Sequence, residues 1–263
     1  MRVFTILTTI ILLSVTKTEA KVYGLIIGVD NYINQKNLKH SKDDAILFYN
    51  TVKSINPSLD AEWNVLLDND ATPEIIFAHF LRYIELLKEE DTFIFYYAGH
   101  GFKDGIYVSD GYRKSGIYSF ELLKAGIKYI LAKDKLIFMD ACQSAGIINN
   151  EMNTYVNEKF KKASDTRKNT KKGQNIMLFL GAGVRENSLE SGTLGHGLFT
   201  FFLCYGLQGE ADFNKDKLVQ IEELFYFFRN NTFIASKIIS SKYQCPLLIG
   251  NFDKKLVIAN LNL

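Results

Sequence analysis

The sequence predicts an α/β protein, a mostly parallel β-sheet sandwiched between α-helices. Three observations carry this. Short runs of apolar, β-branched residues lack the polar alternation of a strand with one wet face, as strands buried on both faces should. Amphipathic segments long enough for crossover helices separate them. The composition, 47% hydrophobic with 3 prolines in 263 residues, suits one large domain with a sizeable core and excludes wholesale disorder.

The elements follow in order. KVYGLIIGVD (21–30) is the first strand. A helix over 43–53 follows, with Ile46, Tyr49 and Val52 expected on one face. EWNVLLD (62–68) is the second strand. Thr72 caps a helix over 73–90. Pro73 takes its first position, where a missing N–H costs nothing, and Glu74 sits near its positive end. DTFIFYYAGHG (91–101), KLIFMDAC (135–142) and NIMLFLGAG (175–183) are further strands. Helices are expected in LFTFFLCYGL (198–207) and in QIEELFYFFRN (220–230), the latter with a stripe of Ile221, Leu224, Phe225 and Phe228.

Residues 1–20 stand apart from this pattern. Arg2 precedes an apolar centre from Ile6 to Val15, and Thr18-Glu19-Ala20 offers a small-x-small cleavage site. This reads as a signal peptide, since the apolar run is short for a bilayer span. The expectation is a secreted or periplasmic protein of residues 21–263 with no stable membrane anchor once the signal is removed. The formal charge of +2 gives no reason to expect a nucleic-acid partner. Three cysteines, Cys142, Cys204 and Cys245, are too few for a disulfide scaffold and odd in number. Cys204 reads as a buried thiol, with a bridge to Cys245 left open. Residues 151–173 carry seven Lys/Arg against three Asp/Glu and read as a basic, mobile loop.

The chemistry concentrates at two strand ends. In an open parallel sheet, ligands bind beyond the carboxyl ends of the strands. His100 follows FIFYYAG and Cys142 follows KLIFMDA. If the strands are parallel, both side chains emerge at one edge, where an imidazole can take the thiol proton and produce the nucleophile. A backbone N–H beside them, at Gly101 or at Cys142 itself, is the candidate oxyanion hole. Most lone histidines and cysteines serve packing, and His40, His79 and His196 are read that way. His100 and Cys142 each lie just past an apolar strand and beside small residues, where a core role is less natural.

YYAGHG (96–101) together with DACQSAG (140–146) resembles the His and Cys motifs of caspase-like cysteine peptidases, closest to metacaspases and bacterial caspase-family proteins. KVYGLIIGVDNY, LKHSKDDAILF, GHGLFTFFLCYGLQGEAD and QCPLLIGNFDKKLVIAN are similar to family segments, so the likeness spans most of 21–260. The resemblance implies the caspase–haemoglobinase fold, with Cys142 as nucleophile and His100 as general base.

Charge suggests the substrate. Asp140 lies two residues before the nucleophile and Asp44 opens the first helix, so both could reach the same edge and favour a cationic side chain. The other roles are a turn-capping carboxylate for Asp140 and a helix N-terminal charge for Asp44. In metacaspases the matching acids line the pocket for Arg or Lys before the cleaved bond. The family often has Ser where this chain has Ala98, a third substrate-binding position. The expected partners are proteins or peptides with basic residues. Family members are often cut after the cysteine strand during maturation, so self-cleavage between Lys159 and Lys172 is expected of a zymogen with an acidic pocket.

DFNKDKLVQIEE follows calcium-loop spacing through Asp212, Asn214, Asp216 and Glu223, with Lys217 where Gly belongs. A polar turn capping the next helix is the favoured alternative. The chemistry itself requires no cofactor, and calcium is the one ion this spacing suggests. The competing functional readings are a clostripain- or legumain-like peptidase of other specificity, and a catalytically silent caspase-fold scaffold.

Overall fold

The computed structural model describes residues 20–55, 57, 60–109, 116–148 and 174–262. Six strands form the central sheet: β1 (Val22–Gly28), β2 (Ala61–Leu67), β3 (Thr92–Ala98), β4 (Asp134–Asp140), β5 (Asn175–Leu180) and β6 (Leu247–Asn251). Their spatial order is β6-β5-β4-β3-β1-β2. All neighbours run parallel except β6, which is antiparallel to β5.

Both sheet faces are covered, which is why the strands show no polar alternation. On β3, Phe93, Phe95 and Tyr97 join one apolar cluster, while Tyr96 and Ala98 join the other. The first cluster includes α2 (Pro73–Leu86) and α3 (Phe120–Tyr129), through Phe80, Tyr83 and Leu123. The second includes α1 (Ser41–Ile55), α4 (Leu198–Tyr205) and α5 (Ile221–Ser240), through Phe48, Phe199 and Leu224. Each fully buried large side chain contributes about 1.5–3 kcal/mol.

Four local details differ from the sequence expectation. The buried face of α1 is Asp44, Ala45, Phe48 and Thr51, and Ile46 points outward. Tyr49 and Val52 pack partly buried against the second cluster as expected, and the face is shifted toward Asp44 and Ala45 so that Ile46 leaves it. The Thr72 hydroxyl caps α2 as expected, accepting from Ile75 N, but α2 ends at Leu86 instead of residue 90. Asp91 draws the chain away, accepting from Lys88 N at 2.8 Å and Lys21 N at 2.9 Å. Helix α3 was not anticipated, although Ser119 caps it through Leu122 N at 3.2 Å. Helix α5 runs to Ser240, twice the length expected. No disulfide joins Cys204 and Cys245, both free thiols. No helix among the described residues is long and apolar enough to cross a membrane. The leader at 1–19 and the whole of the basic loop, 151–173, lie outside the described residues.

The register places the site. Gly28 pairs with Ala98, and Ala98 with Asp140. The loops after β1, β3 and β4 therefore leave the sheet at one level, side by side. Gly181 N donates to Met139 O at 2.8 Å, bringing the loop after β5 to the same edge.

Candidate active site

His100 and Cys142 each lie two residues beyond the register pair Ala98 and Asp140, so the parallel strands bring them to one edge. Three contacts fix His100. Its backbone N donates to Tyr32 Oη at 2.9 Å, and its carbonyl accepts from Tyr97 Oη at 2.8 Å. Its Nε2 lies 2.6 Å from Lys36 O. A carbonyl only accepts, so Nε2 carries the hydrogen, which leaves Nδ1 as the basic nitrogen. The loop that supplies Tyr32 and Lys36 is held by Asp68, which accepts from Asp30 N at 2.9 Å, Asn31 N at 3.0 Å and Lys42 Nζ at 2.8 Å.

Cys142 is half-buried. Burial pushes its thiol up from the ordinary value, and Asp140 and Glu190 push the same way. A hydrogen bond from Ser188 N–H opposes them. The resting thiol is therefore protonated at neutral pH, and its activation depends on a base rather than on a standing thiolate. The next residue, Gln143, turns left-handed (φ 54°) and donates its N–H to Glu186 O at 3.0 Å.

Gly101 opens a short hairpin, paired with Ile106. Tyr107 N donates to His100 O at 2.9 Å, so His100 and Tyr107 form the hydrogen-bonded pair. Gly101 is then in the non-bonded position, and its N–H points away from its hairpin partner. A Cβ at Gly101 would come within 2.9 Å of Ala141 Cβ, so only glycine allows the His and Cys loops to approach this closely.

The two predicted carboxylates converge on the backbone of Gly197. A Cβ there would lie 2.6 Å from Asp140 Oδ2 and 2.8 Å from Asp44 Oδ2. Both acids are buried, 6% and 2% exposed. Asp140 accepts from Thr200 N at 3.2 Å, from Thr200 Oγ1 at 2.6 Å and from Ser188 Oγ. Asp44 accepts from Gly197 N at 3.0 Å, and His196 Nδ1 lies 2.8 Å from its other oxygen. Burial pushes Asp44 up to about 7. Its hydrogen bond raises His196. Burial also raises Asp140, against the donors from Ser188 and Thr200. Glu190 adds a third acid nearby and accepts from His40 N at 3.1 Å.

Some expectations change. Ala98 is 1% exposed and packed in the core, so it presents no surface to a substrate in the free chain. Asp44 is not a simple helix-end charge, since His196 and Gly197 already engage it. The calcium spacing is used otherwise. Asp212 accepts from Asp216 N and Lys217 N, Asp216 from Leu218 N, and Glu223 folds back on Gln220 N to cap α5. No group of three or more acidic, His or Cys side chains among the described residues is arranged to hold a metal ion. Ser188, Glu190, Thr200, Tyr32 and the Lys36 carbonyl were missed. The family-like segments KVYGLIIGVDNY and GHGLFT contain Tyr32 and Thr200, but the roles depend on through-space neighbours.

A His and a Cys stand at the carboxyl ends of adjacent parallel strands, inside an α/β/α sandwich. The family model of the caspase domain, peptidase C14, matches residues 21–257. The chain belongs to that family and is a caspase-like peptidase in this general sense. Among solved structures it is similar to protein GSU0716 from Geobacter sulfurreducens, with a TM-score of 0.64 at 16% identity, covering 92% of this chain and 100% of that chain. That likeness concerns the fold. No curated protein matches the sequence.

Proposed function

We propose that this protein is a cysteine endopeptidase that hydrolyses peptide bonds on the carboxyl side of Arg or Lys. The observation that carries the reading is the convergence of Asp44 and Asp140 at Gly197, beside the nucleophile's strand end. Cationic side chains are the ligands such a cluster favours, and a guanidinium can bridge two carboxylates.

In the proposed reaction His100 Nδ1 takes the Cys142 proton as sulfur attacks the scissile carbonyl carbon. The S–C bond forms while Gly101 N–H, with the backbone at Cys142, receives the oxyanion. The C–N bond then breaks, and the His100 proton leaves on the amine. Water, deprotonated by His100, releases the acid and restores the thiol. No cofactor enters any step. Processing by self-cleavage between Lys159 and Lys172, outside the described residues, is part of the proposal. The signal-like leader supports export to the periplasm or the exterior, where peptides with basic residues would be the partners. Neither nucleic acid nor calcium has a part in the proposal.

Fluorogenic peptides ending in Arg, Lys or Asp, tested with the mature protein and with Cys142→Ala, decide the matter. Arg or Lys turnover that vanishes in the variant is expected. Asp turnover would keep a peptidase and remove the acidic pocket. No turnover of any peptide, even after the basic loop has been cut, would favour a silent scaffold. Processing of Cys142→Ala as fast as the wild type, without other peptidases, would remove the self-cleavage.

A further inference from the structure

Gln244 lies far from both reactive residues in sequence, and its side chain is fully buried. Both polar atoms of the side chain and the backbone N–H are used. Its backbone N donates to Ser236 Oγ at 2.9 Å. Oε1 accepts from Leu189 N at 3.0 Å. Nε2 donates to Gly181 O at 2.8 Å and to Ser188 Oγ at 2.9 Å. A backbone N–H cannot accept and a carbonyl cannot donate, so Leu189 and Gly181 fix which end of the amide is which. Ser188 Oγ must then accept from Gln244 and send its own hydrogen to Asp140 Oδ1. Thr200 sends a second hydroxyl hydrogen to Asp140 Oδ2, with Tyr96 Oη 2.6 Å from that hydroxyl. Asp140 thus faces only donors, the arrangement that suits a carboxylate and not a carboxylic acid.

We propose that Gln244 is a positioning residue of the peptidase site, which through Ser188 holds Asp140 as a fixed anion for the substrate's cationic side chain. This rests on the Arg/Lys reading above. The Ser188 backbone also opposes the upward push of burial on the Cys142 thiol. One buried amide therefore orders both the specificity acid and a neighbour of the nucleophile. The link is local in space only: the loop between α5 and β6 is hydrogen-bonded to the loop after β5, and Cys245 N adds a bond to Glu186 Oε2 at 2.9 Å.

The test uses two shape-conserving variants. Gln244→Glu keeps the acceptor for Leu189 N. Once ionised it can no longer donate to Ser188, and it competes with Asp140 for the Ser188 hydrogen. Protonation restores a donor. The titratable groups around Asp140 are Asp44 with His196, Glu190, Tyr96, Cys142 and Cys204. They are common to both proteins, so each measurement is a ratio to wild type at the same pH. With an Arg peptide, KM of Gln244→Glu is expected to exceed wild type by about tenfold at pH 8, the effect of one hydrogen bond to a charged group. The excess shrinks toward pH 5.5. In a Ser188→Ala background the same substitution produces no such pH-dependent excess. A merely structural role gives a deficit that does not change with pH.

The second readout needs no peptidase activity. Gln244→Leu adds no charge but releases Ser188, so the pH midpoint for alkylation of Cys142 by iodoacetamide, followed by mass spectrometry, is expected to rise. Thermal unfolding confirms that each variant is folded. An active wild type with a pH-flat ratio and an unmoved alkylation midpoint overturns the proposal. A wild type that turns over no Arg or Lys peptide overturns the Arg/Lys reading instead, and the alkylation midpoint then decides by itself whether Gln244 positions the Cys142 neighbourhood.

Discussion

Gly197→Ala tests the acidic pocket with a single methyl group. The backbone at Gly197 (φ −63°, ψ 138°) suits alanine, so the substitution introduces no dihedral strain. The added Cβ would stand 2.6 Å from Asp140 Oδ2 and 2.8 Å from Asp44 Oδ2. An ordinary contact is about 3.5 Å, so each carboxylate must withdraw by roughly 0.7–0.9 Å. Such overpacking costs about 1–3 kcal/mol, a fall in Tm of about 3–8 °C for a domain of this size. Withdrawal also strains the 2.6 Å bond from Thr200 Oγ1 to Asp140. Losing one hydrogen bond to a charged group raises KM for an Arg peptide by about tenfold or more. Cys142 and His100 sit on other loops, so iodoacetamide should alkylate Cys142 within about twofold of the wild-type rate. The assay pairs peptide kinetics with alkylation and thermal unfolding on one preparation. An unchanged KM in a folded variant would refute the pocket. A parallel loss of alkylation would show that the methyl disturbs the nucleophile instead, and the separation of pocket from catalysis would fall.

Tyr32→Phe removes the acceptor for His100 N, and kcat should fall by about tenfold with KM within about twofold, since the base and not the pocket is disturbed. His196 titrates above its ordinary value while burial pushes Asp44 up to about 7, so their ion pair loses its anion as pH falls below about 7 and its cation as pH rises through the raised His196 value. Loss of the cation exposes the Asp44 charge. KM for Arg peptides should therefore fall with rising pH across that step, and His196→Asn, which offers Asp44 a donor that does not titrate, should flatten it. Lys135 is buried with no carboxylate partner among the described residues, donating to Ile127 O at 2.6 Å and Gln174 Oε1 at 3.1 Å, and burial lowers it to about 7. The unfolded chain then binds more protons between pH 7 and 10.5, so stability should rise with pH across that window. Lys135→Met should abolish the rise, as read from urea midpoints at several pH values.

How much of this was legible in the sequence varies by element. The strands at 22–28, 92–98 and 134–140 announced themselves because both faces are buried, which leaves no polar residue to break the apolar run. The cap of α2 was legible because Thr72 and Pro73 act within one turn. Helix α3 escaped because it is only ten residues long with Gly126 inside, and its position depends on packing against Phe80. On α1, apolar spacing rightly places Tyr49 and Val52 against the core but also points at Ile46, whose place on the buried face is taken by Asp44, Ala45 and Phe48.

The fold class, the strand ends that carry His100 and Cys142, and the two acids are readable along the chain, because period, propensity and strand polarity are local properties. What those acids touch depends on how the chain packs. His196 meets Asp44 across 152 residues, Thr200 meets Asp140 across 60, and Gln244 reaches Ser188 across 56. No local preference encodes such a pairing. It exists because the parallel register brings four loops to one sheet edge, and because buried polar atoms there must find partners once water is excluded.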